Sequence, residues 1–157
     1  MEIEFGNAES LDTGGSGWFI GYGDWTRGTD PDQGKLRFLP QDALAQAVQV
    51  KWMAHPAHDP RGTGKPCSEG RTISLLVSEG GRFRLEFSPD PSFSPSSLVR
   101  HTLSRHGDFV IWGAGVHHRW FVDEACTILT IRWTPAEGRG WRDGGNAQGS
   151  SCDPHRG

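Results

Sequence analysis

The chain has 157 residues, 34% of them hydrophobic, with seven Trp, eight Phe, one Tyr, 22 Gly and 10 Pro, and a formal charge of −3. That is the size of one domain, able to bury about two thirds of its unfolded surface, and the density of Gly and Pro favours short strands and turns over a helical bundle. The charges are interspersed with no basic run, so a nucleic-acid footprint is not indicated, and no apolar stretch approaches the ~20 residues of a membrane span.

Glu2, Glu4, Glu9 and Asp12 open the chain with no basic segment among them, which argues against a secretory signal and for a soluble, cytoplasmic protein. Cys67, Cys126 and Cys152 are odd in number and widely spaced, a pattern expected of free thiols.

In chain order, Ile3 and Phe5 make one short apolar alternation, and the run WFIG between Gly17 and Gly21 reads as a short strand. Residues 24–34 read as loop, and 35–39 as a strand stopped by Pro40. Residues 1–46 together are expected to lie over a barrel or along a dimer interface.

Segment 47–55 is a strand by its two-residue period: Val48, Val50 and Trp52 alternate with Gln49, Lys51 and Met53, so the apolar set would face a core. Residues 55–70 form a long Pro/Gly-rich loop, a kind of segment that often carries function.

Segment 72–78 is a nearly continuous apolar strand. After Glu79-Gly80-Gly81, segment 82–87 places Phe83, Leu85 and Phe87 on one face and Arg82, Arg84 and Glu86 on the other. The Gly-Gly turn predicts that these two strands pair as an antiparallel hairpin. Residues 88–97, rich in Ser and Pro, are a surface loop.

A strand over 98–103 leads through a turn at 105–108 into Phe109-Val110-Ile111-Trp112, a Gly-Ala-Gly reversal and a second strand carrying His117 and His118. Gly113 and Gly115 can take positive φ there. The last strand spans 127–133, and the domain proper is 47–134. Residues 135–157 have too little apolar surface to offset the cost of ordering them, so a mobile tail is expected.

Short strands about ten residues apart, without βαβ alternation, predict an all-β antiparallel sandwich or barrel. The spacing of Gly107, Gly113, Gly115 and His118 resembles the second motif of the cupin superfamily, as found in small single-domain bacterial cupins, over roughly residues 45–134. Gly113 stands where that motif usually has proline, and Val122 where it usually has asparagine. The resemblance implies a double-stranded β-helix, or jelly-roll, barrel, with His118 at the position of a metal-ligating histidine. It also implies a first motif of two histidines and a glutamate, which is degenerate here. The glutamate's position falls at Ile73 or Ser74, and the histidines' positions fall around residues 66–69.

Cys67 and Glu69 have the i, i+2 spacing that puts two side chains on one side of a strand. With His118 they are candidate ligands for a divalent metal such as iron, manganese, nickel or zinc. His55 and His58 are the other candidate ligands, brought in by the loop. His118 fits equally well as a neutral imidazole inside a barrel with no ligand role. Trp120 shares its inward face, and with Trp112, Arg84 and Arg132 it would line an aromatic pocket suited to a small anionic or carbonyl-bearing molecule. His117 must face the other way.

No Gly-x-Ser-x-Gly elbow, phosphate-binding Gly-rich loop or His-Glu-x-x-His helix is present. Two readings follow: a small-molecule-binding or non-catalytic cupin, and a metal-dependent enzyme of isomerase or dioxygenase type using His118 with ligands from the 55–69 loop. Homodimerisation is expected with either, because the run GWFIGYGDW is very apolar for a loop region.

Overall fold

A computed structural model describes residues 1, 3–11, 17 and 45–135. The described residues form eight strands: β1 (Ile3–Asn7), β2 (Ala45–His55), β3 (Arg71–Leu76), β4 (Arg82–Ser88), β5 (Val99–Leu103), β6 (Asp108–Trp112), β7 (His117–Glu124) and β8 (Cys126–Pro135). Two single 3₁₀ turns, Ala8–Ser10 and Pro60–Gly62, complete the described elements. The strands expected within 14–23 and 35–39, and the tail after residue 135, lie outside the described residues. Among the described residues no helix is long and apolar enough to cross a membrane.

Five strands form one sheet in the order β1-β6-β3-β8-β2, and three form the other in the order β5-β4-β7. Every pairing is antiparallel. The chain runs β2 and β3 in the larger sheet, β4 and β5 in the smaller, then β6, β7 and β8 alternately between them. That is the jelly-roll alternation, in which consecutive strands cross from sheet to sheet. The all-β antiparallel expectation holds.

The hairpin expected from the Gly-Gly turn is not formed. β3 pairs with β6 and β8, whereas β4 pairs with β5 and β7, so the turn around Gly80 and Gly81 is a corner between sheets. The same is true of the Gly-Ala-Gly reversal, because β6 and β7 lie in different sheets. Both β3 and β4 carry an apolar face, and stacking two sheets buries both faces where a lone ribbon would bury neither. Of the two glycines in that reversal, Gly115 is the one at positive φ, +76°.

Between the sheets, Phe83, Leu85 and Phe87 of β4 and Val122 of β7 pack against Val110, Trp112 and Ile128 of the larger sheet. Burying each large side chain contributes roughly 1.5–3 kcal/mol. A second cluster, Ile73, Phe109, Ile111 and Trp133, lies on the outer side of the larger sheet.

β2 inverts its expected orientation. Val48, Val50 and Trp52 are exposed, while His55 is buried and Lys51 lines the interior cavity. Register explains the inversion: Lys51 stands opposite Thr130, whereas Val50 stands opposite Ile131. Opposed residues share a face of the sheet, so β8 dictates which half of β2 looks inward.

Candidate functional site

At one end of the jelly roll, between the sheets, is a cavity of about 240 Å³. Its wall on the larger sheet comes from Lys51, Thr72, Ser74, Trp112, Thr130 and Arg132, and its wall on the smaller sheet from Phe83, Leu85, His118 and Trp120. Lys65, Pro66 and Cys67 of the 56–70 loop reach over it.

That loop runs along the free edge of β7. The His58 amide donates to the Val122 carbonyl at 2.7 Å, and the Ser68 amide to the Val116 carbonyl at 3.1 Å. Gly62 permits the close approach, because a Cβ there would lie 1.7 Å from the Trp120 carbonyl oxygen. The loop therefore stands in place of a further strand and roofs the cavity.

Ser68 joins the roof to the walls. Its hydroxyl accepts from Trp112 Nε1 at 2.8 Å and lies 3.4 Å from His118 Nδ1. An oxygen engaged by Trp112 keeps a second lone pair, so the hydroxyl can donate to Nδ1 or accept from it. Burial, reinforced by the charges of Arg132, Lys65 and Lys51, pushes His118 down to about 4. At neutral pH it is an uncharged imidazole.

His55 is held by a carboxylate instead. Its Nδ1 lies 3.0 Å from Asp59 Oδ2, and both side chains are buried. Asp59 also accepts from Arg61 Nε at 2.8 Å and Arg61 Nη2 at 2.6 Å, and these bonds hold its carboxyl well below the ordinary range. An ionised Asp59 can only accept, so Nδ1–H of His55 donates to it and the lone pair of that imidazole is on Nε2. Burial lowers the His55 pKa, opposed by its bond to Asp59. The ring stands edge-on to Trp120, with centroids 4.7 Å apart.

The cavity thus holds two neutral imidazoles beside three cations. Among the described residues its lining contains no carboxylate. Burial lowers the Lys51 pKa, and Lys65 and Arg132 lower it further by like-charge repulsion. Arg132 is steadied by a 3.3 Å bond from Nε to Thr72 Oγ1.

Of the residues expected to line a pocket, His118, Trp112, Trp120 and Arg132 converge on this cavity. Arg84 does not. It projects from the opposite face of β4, where Nη1 bonds Glu86 at 2.9 Å and the guanidinium stacks on Phe121. His117 pairs with Ser88 on that same outer face.

Of the expected metal ligands, His55 and Cys67 reach the cavity, whereas His58 lines an outer groove with Arg84 and Glu69 is exposed. Cys67 is disulfide-bonded, which corrects the free-thiol expectation for that residue and removes its sulfur as a thiolate ligand. Cys126 is a free thiol, buried and raised to about 11 by burial.

Lys51, Lys65, Ser68 and Thr130 were not singled out from the sequence. A clue was available: Lys51 and His55 fall on the polar alternate of β2, as Thr130 and Arg132 fall on that of β8. A face with that composition is unusual for a buried one.

The residues do not fit the metal that the family resemblance implies. A divalent ion needs about three ligands with free lone pairs, and no such group of His, Cys, Asp or Glu occurs among the described residues. Around His118 the neighbouring charges, Arg132, Lys65 and Lys51, are positive.

No family model matches the sequence, and no curated protein matches it. Among solved structures, Streptomyces albus HEPD with 2-hydroxyethylphosphonate and Fe(II) bound aligns over 59% of this chain and 19% of that one, at 10% identity and a TM-score of 0.45. HppE with Co(II) in complex with substrate aligns over 54% of this chain and 44% of that one, at 7% identity and 0.42. Drosophila melanogaster CENP-C bound to CAL1 aligns over 53% and 63%, at 17% identity and 0.39. The chain spans less than half the length of the first two, and likenesses at these values carry no chemistry over to it.

Proposed function

We propose that the protein binds a small organic anion in the cavity beneath the 56–70 loop, held by Lys51, Lys65 and Arg132 against an aromatic wall of Trp112, Trp120 and Phe83. One observation carries this reading: three cations converge on a space whose described lining offers no carboxylate. Lys51 and Lys65 are exposed at the rim and Arg132 is half-buried, and their like charges repel one another until a counter-charge arrives. A ligand carboxylate or phosphate would supply it, with the imidazole of His118 and the hydroxyls of Thr72, Ser74 and Thr130 completing the hydrogen bonds. The planar faces of the tryptophans suit a flat ligand body.

Calorimetric titration with a panel of small carboxylates and phosphates tests this. Saturable binding, lost in Arg132→Met and accompanied by a rise in melting temperature, is expected. Protein purified with a stoichiometric metal whose removal by chelator lowers the melting temperature, and which ignores every anion, would transfer the site to the metal-dependent reading.

A second reading is favoured by His55. An imidazole oriented by a buried carboxylate and left with a free Nε2 is equipped to accept a proton. If the anion is a carbon acid, the pair His55 and Asp59 would catalyse its proton exchange. Deuterium incorporation into a bound 2-substituted acid in D₂O, abolished in His55→Gln, is the expected sign, and its absence leaves the site as one for binding alone.

A further inference from the structure

Lys51 is the one charge in residues 47–54. Its side chain lines the cavity and has no carboxylate partner among the described residues. The register of β2 on β8 fixes its company. Thr130 stands directly opposite Lys51, and Arg132 is its diagonal neighbour on the same face, about 7–8 Å away between Cα atoms. His55 lies four residues further along that face of β2, held at Nδ1 by Asp59. Lys65 comes from the roof, its ammonium 5.9 Å from the centre of the Trp120 ring.

The two lysines are differently employed. Lys65 is a cation resting on an aromatic face. Lys51 has no such contact among the described residues, and burial, together with the charges of Lys65 and Arg132, lowers its pKa, which favours the uncharged amine over the ammonium. Such surroundings weaken a lysine kept only to neutralise an anion, whereas they activate a nucleophilic one.

We propose that Lys51 condenses with the carbonyl of a small 2-oxo acid whose carboxylate is held by Arg132 and Lys65, forming an imine in the cavity. This deepens the anion-binding reading and rests on it. In a 2-oxo acid the carbonyl carbon is bonded to the carboxylate carbon, and the diagonal placement of Arg132 and Lys51 brings their heads to neighbouring atoms of one ligand. Lys51 Nζ attacks the carbonyl carbon, so that a C–N bond forms and the C=O bond breaks. Counted from the ammonium, two of its protons leave with the oxygen as water and one stays on the protonated imine, which carries the positive charge. The imine draws electrons from the next carbon, and the Nε2 lone pair of His55 accepts a proton there, leaving an enamine.

Trapping with hydride decides the matter. The full chain is incubated with pyruvate and cyanoborohydride, which reduces a protonated imine to a stable amine, and the adduct is located by peptide mass mapping. Lys51 should be labelled ahead of Lys35 and Lys65, and the label should be lost in Lys51→Met. Arg132→Met should slow the labelling about tenfold. Propionate, which has the carboxylate and no carbonyl, should slow it by competition. Equal labelling of the three lysines, or preference for Lys65, would overturn the proposal. If propionate binds by calorimetry while pyruvate leaves Lys51 unlabelled, the imine falls and the anion site stands. If neither acid binds, the anion reading falls and the imine with it.

Discussion

Positive charge is gathered at two places in this protein, and it is treated differently in each. On the outer face of the smaller sheet, Glu86 accepts from Arg84 at 2.9 Å, Arg100 at 2.9 Å and Arg119 at 2.7 Å. Arg84 and Arg119 also lie over Phe121, and Arg119 over Phe93. Burial pushes the Glu86 carboxyl up, but the bonds from Arg119 and Arg100 outweigh it and hold the group below its ordinary value. In the cavity, Lys51, Lys65 and Arg132 converge with no described carboxylate in the lining. A cation cluster that carries its own counter-ion is finished as structure. On the reading proposed above, one that lacks it takes its counter-charge from a ligand.

Removing the counter-ion is the most damaging way to break this contrast. Glu86→Gln leaves guanidiniums from three positions around an uncharged amide, and denaturant unfolding should register a loss of about 2–4 kcal/mol, the half-exposed arginines keeping it below the full cost of a broken buried pair. A variant as stable as the parent would show that the outer cluster is not held by its carboxylate.

The cavity side is probed by acid. His118 is held at about 4, below an unfolded value near 6.5. The unfolded chain therefore takes up a proton at that site first, and stability declines as pH falls from about 6.5 to about 4, then levels. The full span is on the order of 3 kcal/mol. Melting curves of His118→Gln should lack this part of the acid limb. If parent and variant run parallel through that window, the imidazole is not buried among cations as described.

Arg132→Met sharpens the comparison from the ligand's side. It should weaken anion binding at least tenfold, about 1.4 kcal/mol, measured by the shift of the binding isotherm. Arg100→Met, drawn from the outer cluster, should leave that isotherm unmoved. Equal effects from the two would erase the distinction between the clusters.

The smallest effect is expected at Lys51→Met. The residue stands at the cavity mouth, so unliganded stability should stay within about 0.5 kcal/mol of the parent. The rise in melting temperature produced by an added carboxylate should nonetheless shrink. A large loss of unliganded stability would mean that Lys51 already has a structural partner.

Much of the architecture was legible in particular residues. Phe83, Leu85 and Phe87 declared the inner face of β4, and the alternation through Ile131 and Trp133 declared β8. Which strands would pair was not legible. The Gly80-Gly81 turn reads as a hairpin, yet β3 and β4 belong to opposite sheets, because a glycine turn permits a reversal without choosing between a ribbon and a corner. Lys51 was hidden for a related reason, since Val48, Val50 and Trp52 were the natural candidates for the buried side.

Composition and period-two alternation were enough to indicate an antiparallel all-β domain rich in aromatic strands, and the resemblance of Gly107, Gly113, Gly115 and His118 to a cupin motif supplied the inward placement of His118. Only the tertiary structure decided that the polar half of β2 looks inward, that Arg84 leaves the cavity while Arg132 stays, and that Ser68 and Asp59 orient the two imidazoles. Alternation separates a strand's residues into two sets but says nothing about which set is covered. That choice falls to the strand lying alongside and to the sheet stacked above, and neither is adjacent in the chain.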